Sequence, residues 1–172
     1  MRSSRKRRFN WAICLCYALA ALLFLLLQLF ALNHIRLMQV VPFLLPLLPA
    51  VLAVYEGYSF GGCGAVVIGF FADLLLSSSP VPGFYTLTLA LVALIAALLP
   101  KYWLPSGFFC SFIAGALSYL FLAIGRLIVG FFQGIPLLPL LSIAAKELLL
   151  SLPFVIPVNF LFRRIHRYFY PE

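Results

Sequence analysis

Long apolar blocks separated by short polar breaks run along the whole chain, and the blocks have the length of membrane spans. An apolar run of about 20 residues crosses the hydrocarbon core as a helix, and the sequence has room for six such runs. Their predicted bounds are residues 11–32, 37–55, 60–76, 84–99, 106–132 and 135–162. Apolar residues come in blocks and do not alternate, which excludes a β-barrel. The pattern predicts an all-α membrane protein, a bundle of six transmembrane helices.

Composition supports one membrane domain. Hydrophobic residues make up 65% of the chain and charged residues 9%, and the mean hydropathy is +1.15. A soluble domain has no single core that would bury so much apolar sequence. We therefore expect a six-helix transmembrane domain over residues 11–162, between a basic N-terminal segment (1–10) and a basic tail (163–172).

The net charge of +8 lies mainly at the two ends of the chain. Basic clusters beside membrane spans report topology and attract anionic lipids, and no stretch is long enough to build a folded basic surface for nucleic acid. With six spans, nine of the twelve Lys and Arg residues fall on the side of the termini: Arg2, Arg5, Lys6, Arg7, Arg8, Lys101, Arg163, Arg164 and Arg167. The opposite loops receive only Arg36. Both termini are predicted to be cytoplasmic, with anionic lipids bound by the basic ends.

The third predicted helix carries a ridge of small residues. Gly57, Gly61, Ala65, Gly69 and Asp73 fall at successive i+4 positions, so they share one slowly winding side of a helix. Small residues let another helix backbone approach closely, which drives association where water is absent. We expect this ridge to receive a neighbouring span, either within the chain or from a partner.

Four charged residues lie at membrane depth, where charges are costly and usually paired. They are Asp73, Arg126, Lys146 and Glu147. Asp73 and Arg126 differ by only about 5 Å in predicted depth, so they are expected to pair if their helices touch. Lys146 and Glu147 lie deeper; one of them is expected to complete the cluster and the other to face a partner protein. Pairing of Asp73 with Lys146 stays open. The cluster is expected to fix helix register, to contact another membrane protein, or to bind a solute.

Three prolines mark the second predicted helix. Pro42, Pro46 and Pro49 remove backbone donors and kink it, which a membrane tolerates only where protein covers the freed carbonyls. The second helix is therefore predicted to be interior or packed tightly on a partner. Gln28 is expected to hydrogen-bond a neighbouring helix. Glu56 marks a tight turn into the third helix and is expected to snorkel to the interface.

No catalytic residue, metal site or cofactor is predicted. The residues from Gly57 to Gly61 match G-x-S-x-G around Ser59, but that motif needs a strand-to-helix turn and a histidine that takes the serine proton. Here the motif lies at a turn between membrane helices. The two histidines of the chain, His34 and His166, are predicted to lie in the first outer loop and in the cytoplasmic tail. The protein is not expected to be an enzyme.

The ridge and the loop after it resemble the MreD rod shape-determining proteins of bacteria. The resemblance rests on the sequence G-F-x-x-D ending at Asp73 and on a serine- and proline-containing loop that ends in Pro82-Gly83. It implies a multi-pass, non-enzymatic component of the cell-wall elongation machinery in the bacterial cytoplasmic membrane. The implied partners are an MreC-like bitopic protein, a RodA-type glycosyltransferase, a class B penicillin-binding transpeptidase and, indirectly, the MreB filament.

A binding module is the alternative. The family's fold is related to the substrate-binding subunits of energy-coupling-factor vitamin transporters, which dock through small residues of the first helix. Ala12, Cys16 and Ala20 would supply such a ridge here. A vitamin pocket needs several convergent polar groups, and the predicted outer loops are short and poor in them.

Overall fold

The computed structural model describes residues 11–30, 40–75, 81–105 and 107–169, and these form six α-helices. The helices are α1 (Trp11–Phe30), α2 (Leu47–Leu75), α3 (Phe84–Tyr102), α4 (Phe108–Phe132), α5 (Leu137–Ser151) and α6 (Val155–Phe169). The predicted basic segment 1–10, the polar break at residues 33–36 and most of the serine loop lie outside the described ranges.

Five helical segments of the described chain are long and apolar enough to cross a membrane. They are the first four helices and the segment Leu138–Phe169, in which α5 and α6 follow each other. The predicted all-α membrane architecture is confirmed: this is a multi-pass helical membrane protein.

A sharp bend divides α2 into two arms, residues 47–56 and 58–75. At the bend, Gly57 has φ 80° and ψ −174°, a conformation that glycine adopts without steric cost. A Cβ on Gly61 would lie 2.5 Å from Ala53 Cα, and one on Gly64 would lie 2.6 Å from a methyl of Leu52. Since these pairs belong to opposite arms, the second arm folds back along the first. The tight turn predicted at Glu56 is confirmed, one residue further on.

The first arm and the chain before it form the centre of the protein. Residues 42–56 are all buried, without interruption, which confirms that the second predicted helix is interior. Its predicted start at residue 37 lies outside the described residues; residues 40–46 are non-helical, and the helix begins at Leu47. Pro42 and Pro46 explain the delay, since neither donates a backbone hydrogen bond. Pro49 is accommodated in the first turn, where backbone N–H groups have no helical partner.

Gln28 of α1 hydrogen-bonds to the non-helical residues that precede α2. Its Nε2 donates to the carbonyl oxygen of Pro42 at 3.0 Å, and its Oε1 accepts from the backbone N–H of Leu44 at 2.8 Å. One buried amide thus satisfies a backbone acceptor and a backbone donor. Gln28 was predicted to bond a neighbouring helix, whereas its partners, Pro42 and Leu44, belong to the non-helical residues before α2.

Two further side chains hydrogen-bond to Phe43, the residue between Pro42 and Leu44. The backbone N–H of Phe43 donates to Ser151 Oγ at 3.0 Å, and the Tyr119 hydroxyl donates to the Phe43 carbonyl oxygen. Irregular backbone survives at membrane depth only where protein satisfies its polar groups. Here side chains from α1, α4 and α5 satisfy backbone groups of the non-helical residues 41–46, which we call the central segment.

The last predicted span is interrupted in the structure and continues past its predicted end. A 3₁₀ turn at Leu152–Phe154 separates α5 from α6, as expected from Pro153, which lacks the backbone donor that a helix needs. Helix then continues to Phe169, seven residues past the predicted end of the span. One side of α6 is buried through Phe162, whereas Arg163, Arg164 and Arg167 are exposed.

Candidate functional site

The small-residue ridge lies at contacts between parts of this chain. A Cβ on Gly69 would be 2.5 Å from Thr86 Cα and 2.9 Å from its backbone nitrogen, so the second arm of α2 meets α3 backbone to backbone. Gly61 meets Ala53 in the same way, and Ala65 is fully buried. The close helix approach predicted for the ridge therefore takes place inside the protein, and these positions are covered.

Asp73 caps the N-terminus of α3. Its carboxylate accepts the backbone N–H of Tyr85 at 3.1 Å, the backbone N–H of Thr86 at 2.9 Å and the Thr86 hydroxyl at 2.7 Å. The N-cap position itself is Gly83, at φ 79° and with no side chain to offer. A carboxylate at a helix N-terminus is favoured by both the unpaired N–H groups and the helix dipole. Asp73 thus joins two helices, beside the exposed Pro82 and Gly83.

Arg126 pairs with Glu147, and this corrects the prediction of an Asp73–Arg126 ion pair. Arg126 Nη1 lies 2.5 Å from Glu147 Oε2, and among the described residues no salt bridge joins Arg126 to Asp73. The donors of α3 already bind the Asp73 carboxylate. Glu147 instead reaches Arg126 because α4 and α5 are neighbours across a short turn, residues 133–136.

Tyr85 connects these two charged sites. Its backbone N–H donates to Asp73, and its hydroxyl accepts from Arg126 Nη2 at 3.1 Å. The guanidinium also lies over the Phe43 ring, 5.6 Å from the centroid, a favourable cation–π arrangement. Three of the four predicted cluster residues, Asp73, Arg126 and Glu147, are therefore linked through α3 and the central segment.

Lys146, the fourth residue of the predicted cluster, points away from it. Its side chain is exposed, whereas Glu147 is only 6% exposed, as expected for helix neighbours about 100° apart. Within the described ranges no acidic residue forms a salt bridge with Lys146. The site thus contains an internal charge pair and, on its outer side, an isolated ammonium.

A second polar cluster, at the bend of α2, was not predicted. Glu56 Oε1 accepts from the Tyr17 hydroxyl at 2.8 Å and lies 2.8 Å from His166 Nδ1. Its side chain is only 3% exposed, so the expectation that Glu56 snorkels to the interface is wrong. Burial of the carboxylate is compensated by these two polar partners. One signal could have linked Tyr17, Glu56 and His166: the predicted topology places all three toward the same side of the membrane.

The serine of the G-x-S-x-G match lies close in sequence to this cluster. Ser59 is exposed, and among the described residues it makes no hydrogen bond to His166, whose Nδ1 faces Glu56. A nucleophile needs a base within hydrogen-bond reach. Nor do three His, Cys, Asp or Glu residues converge as metal ligands in the part of the chain that the structure describes.

A small crevice of about 10 Å³ lies between α1, α2 and the non-helical residue Leu45. Its lining is apolar except for Gln28, whose amide already bonds the central segment. Small-molecule sites usually enclose about 300–1,000 Å³ and present several convergent polar groups. The crevice does not have the size or chemistry of such a site.

No protein-family model, curated protein or solved structure matches this chain. Fold and site geometry define its class: a multi-pass helical membrane protein in which intramembrane charges join helices to one another.

Proposed function

We propose that this protein is a non-enzymatic membrane scaffold of the bacterial cell-wall elongation machinery and acts through contacts of its helices with partner membrane proteins. One observation carries the proposal: Glu56, Asp73 and Glu147 all bind groups of this same chain. A reaction or a polar solute needs acidic and basic groups that converge on an open space. Here these groups join helices, and the exposed faces that remain are mainly apolar.

The exposed faces suit recognition by other transmembrane helices. Large exposed apolar side chains follow α1, α3 and α5, among them Leu15, Leu19, Leu22, Leu87, Leu94, Leu138 and Leu149. Such faces meet either lipid tails or the spans of a partner. The resemblance of the α2 ridge to the MreD family names the partners: an MreC-like bitopic protein, a RodA-type glycosyltransferase, a class B penicillin-binding transpeptidase and, indirectly, the MreB filament.

Six crossings with cytoplasmic termini form part of the proposal. Residues 41–44 span at most about 14 Å, residues 45–46 form a turn, and the ten-residue first arm of α2 adds about 15 Å. These lengths together approach a hydrocarbon core of about 30 Å, so we count the two arms of α2 as two crossings. The exposed Arg163, Arg164 and Arg167 of α6 then face the cytoplasmic leaflet and its anionic lipids.

Two observations favour the scaffold over a vitamin-binding transporter subunit. The crevice beside Gln28 is small and apolar. The α1 positions that would dock on a transporter do not form one exposed stripe, because Ala12 is exposed, Cys16 is half-buried and Ala20 is buried.

Controlled depletion in the bacterium of origin tests the proposed function. We expect rod-shaped cells to widen and round up as lateral wall synthesis stops, and re-expression of the wild-type chain to restore the rods. Labelling of new wall material along the cell length measures the effect. Depleted cells that keep their shape but require an added vitamin would contradict the scaffold and favour the transporter subunit.

A further inference from the structure

The exposed side of α6 changes from apolar to basic along the helix. Ile156 and Phe160 are exposed in its first turns, and Arg163, Arg164 and Arg167 are exposed in its last turns. Each of these residues lies three or four positions from another of them, so all five share one side of the helix. We call this surface the α6 stripe.

The basic end of the α6 stripe lies at the level of lipid head groups. The segment Leu138–Phe169 has 32 residues and is about 48 Å long if straight, which exceeds a hydrocarbon core of about 30 Å and a bilayer of about 40–45 Å with its head groups. The excess belongs at the basic end, because the other end begins with the exposed, apolar Leu138. Arg163 lies about 37 Å from Leu138 along the helix, past the core and among the head groups.

The opposite side of the same turns is fastened to the rest of the protein. His166 Nδ1 lies 2.8 Å from Glu56 Oε1, and the Glu56 side chain is buried. The buried Phe162 ring stacks on Tyr17 of α1, with 5.5 Å between ring centroids. These contacts fix the rotation of α6 about its axis. The three arginines are therefore held outward before any ligand binds, which lowers the entropy lost on binding.

The chemistry of the α6 stripe fits a phospholipid along its whole length. Within the described ranges no acidic residue forms a salt bridge with Arg163, Arg164 or Arg167. A guanidinium offers a planar fork of donors that binds phosphate in a bidentate manner, which an ammonium does not. In a phospholipid the phosphate lies directly above the acyl chains, as the arginines lie above Ile156 and Phe160. An acidic soluble protein would match only the basic end.

We propose that the α6 stripe binds one anionic phospholipid of the cytoplasmic leaflet, with its phosphate held by the three arginines and an acyl chain along Ile156 and Phe160. This binding is saturable and needs the guanidinium forks, which distinguishes it from the general attraction of a basic segment to an anionic leaflet. The inference rests on the proposed function, because it uses the cytoplasmic position of the C-terminal end.

Native mass spectrometry of the full chain tests the binding. The protein is purified in mild detergent and mixed with equal amounts of phosphatidylglycerol, which is anionic, and phosphatidylcholine, which has no net charge. We expect the wild-type chain to retain phosphatidylglycerol preferentially, and the retained amount to saturate as the lipid concentration rises.

Two single substitutions compare charges at the same predicted side of the membrane. Arg167 lies within four positions of both other arginines of the α6 stripe. Arg167→Gln should reduce retention of phosphatidylglycerol about fivefold, the contribution of one basic residue near an anionic surface. Lys101→Gln, at the exposed end of α3, is the matched control and should leave retention unchanged.

Replacement of all three arginines by lysine separates the forks from the charge. Arg163→Lys, Arg164→Lys and Arg167→Lys together preserve the net charge and the cations that favour a helix C-terminus. Retention of phosphatidylglycerol should fall about tenfold, the equivalent of one or two hydrogen bonds. Undiminished retention would overturn the inference, because charge alone would then account for the binding.

Two other results would overturn the inference: equal retention of the two lipids by the wild-type chain, or a co-purifying protein that is lost in the triple variant while lipid retention is unchanged. Melting curves without added phospholipid identify a misfolded variant, and Arg167→Lys alone then replaces the triple variant. Lipid retention by a chain that purifies without wall-synthesis proteins would uphold the inference and contradict the proposed function. Wall-synthesis proteins bound to a chain that retains no phosphatidylglycerol would do the reverse.

Discussion

Removal of one member of the Arg126–Glu147 pair should destabilise the fold strongly. Glu147→Leu keeps a side chain of similar size but leaves the guanidinium without its carboxylate. Removing one partner of a buried ion pair typically costs about 3–5 kcal/mol. We expect about 3 kcal/mol, the lower end, because the Arg126 side chain is 26% exposed and keeps its hydrogen bond to Tyr85. That is more than a hundredfold change in the unfolding equilibrium.

The double variant separates the ion pair from the packing. Arg126→Met combined with Glu147→Leu removes both charges, and such replacements are often neutral or stabilising. The double variant should therefore be more stable than Glu147→Leu alone. Reversible unfolding in mixed micelles measures the free energies, with Lys146→Met as the control because that side chain is exposed. Additive losses in the double variant would show that the two residues are not coupled.

Three further substitutions test the backbone contact of Gly69 with α3, the capping of α3 by Asp73 and the hydrogen bonds of Gln28, all in the same unfolding assay. Gly69→Leu places a side chain against the backbone of Thr86 and should lower the free energy of unfolding by about 3 kcal/mol or more. Gly62→Leu is the control, because a Cβ at Gly62 meets nothing within 4 Å. Equal losses in the two variants would contradict the close contact between α2 and α3. Asp73→Ala removes the carboxylate that caps α3 and should lower the free energy of unfolding by about 1–2 kcal/mol. An unchanged melting curve would show that the cap does not stabilise the protein. Gln28→Leu leaves a buried carbonyl and a buried N–H unbonded and should cost about 2 kcal/mol or more; a neutral effect would mean that water or lipid replaces the amide.

The helices and the central bend could be predicted because their signals are local. Apolar block length predicts spans, glycine after Glu56 permits a tight bend, and closely spaced prolines predict an interior segment. The irregular chain at residues 41–46 could not be predicted in detail. Its backbone is held by Gln28 and Ser151, which lie far from it in the sequence, and no local pattern reports such contacts.

Charge pairing was predicted less well because depth alone does not identify partners. Asp73 and Arg126 lie at similar predicted depths, yet Asp73 caps α3 and Arg126 binds Glu147. Choosing between Asp73 and Glu147 as the partner of Arg126 requires the rotation of each helix about its axis. Helices that are hydrophobic all round carry only a weak apolar periodicity from which to infer that rotation. The Glu56–His166 contact joins residues 110 positions apart. The sequence indicated only that both residues lie toward the same side of the membrane, which does not predict a contact.

Affinity purification from native membranes in mild detergent, with identification of what accompanies the protein, is the most direct test of a scaffold that acts through its helix faces. The account predicts membrane proteins of cell-wall synthesis in near-stoichiometric amounts, first of all a bitopic MreC-like protein. An ATP-binding cassette pair, or a small molecule held tightly by the purified chain, would contradict it.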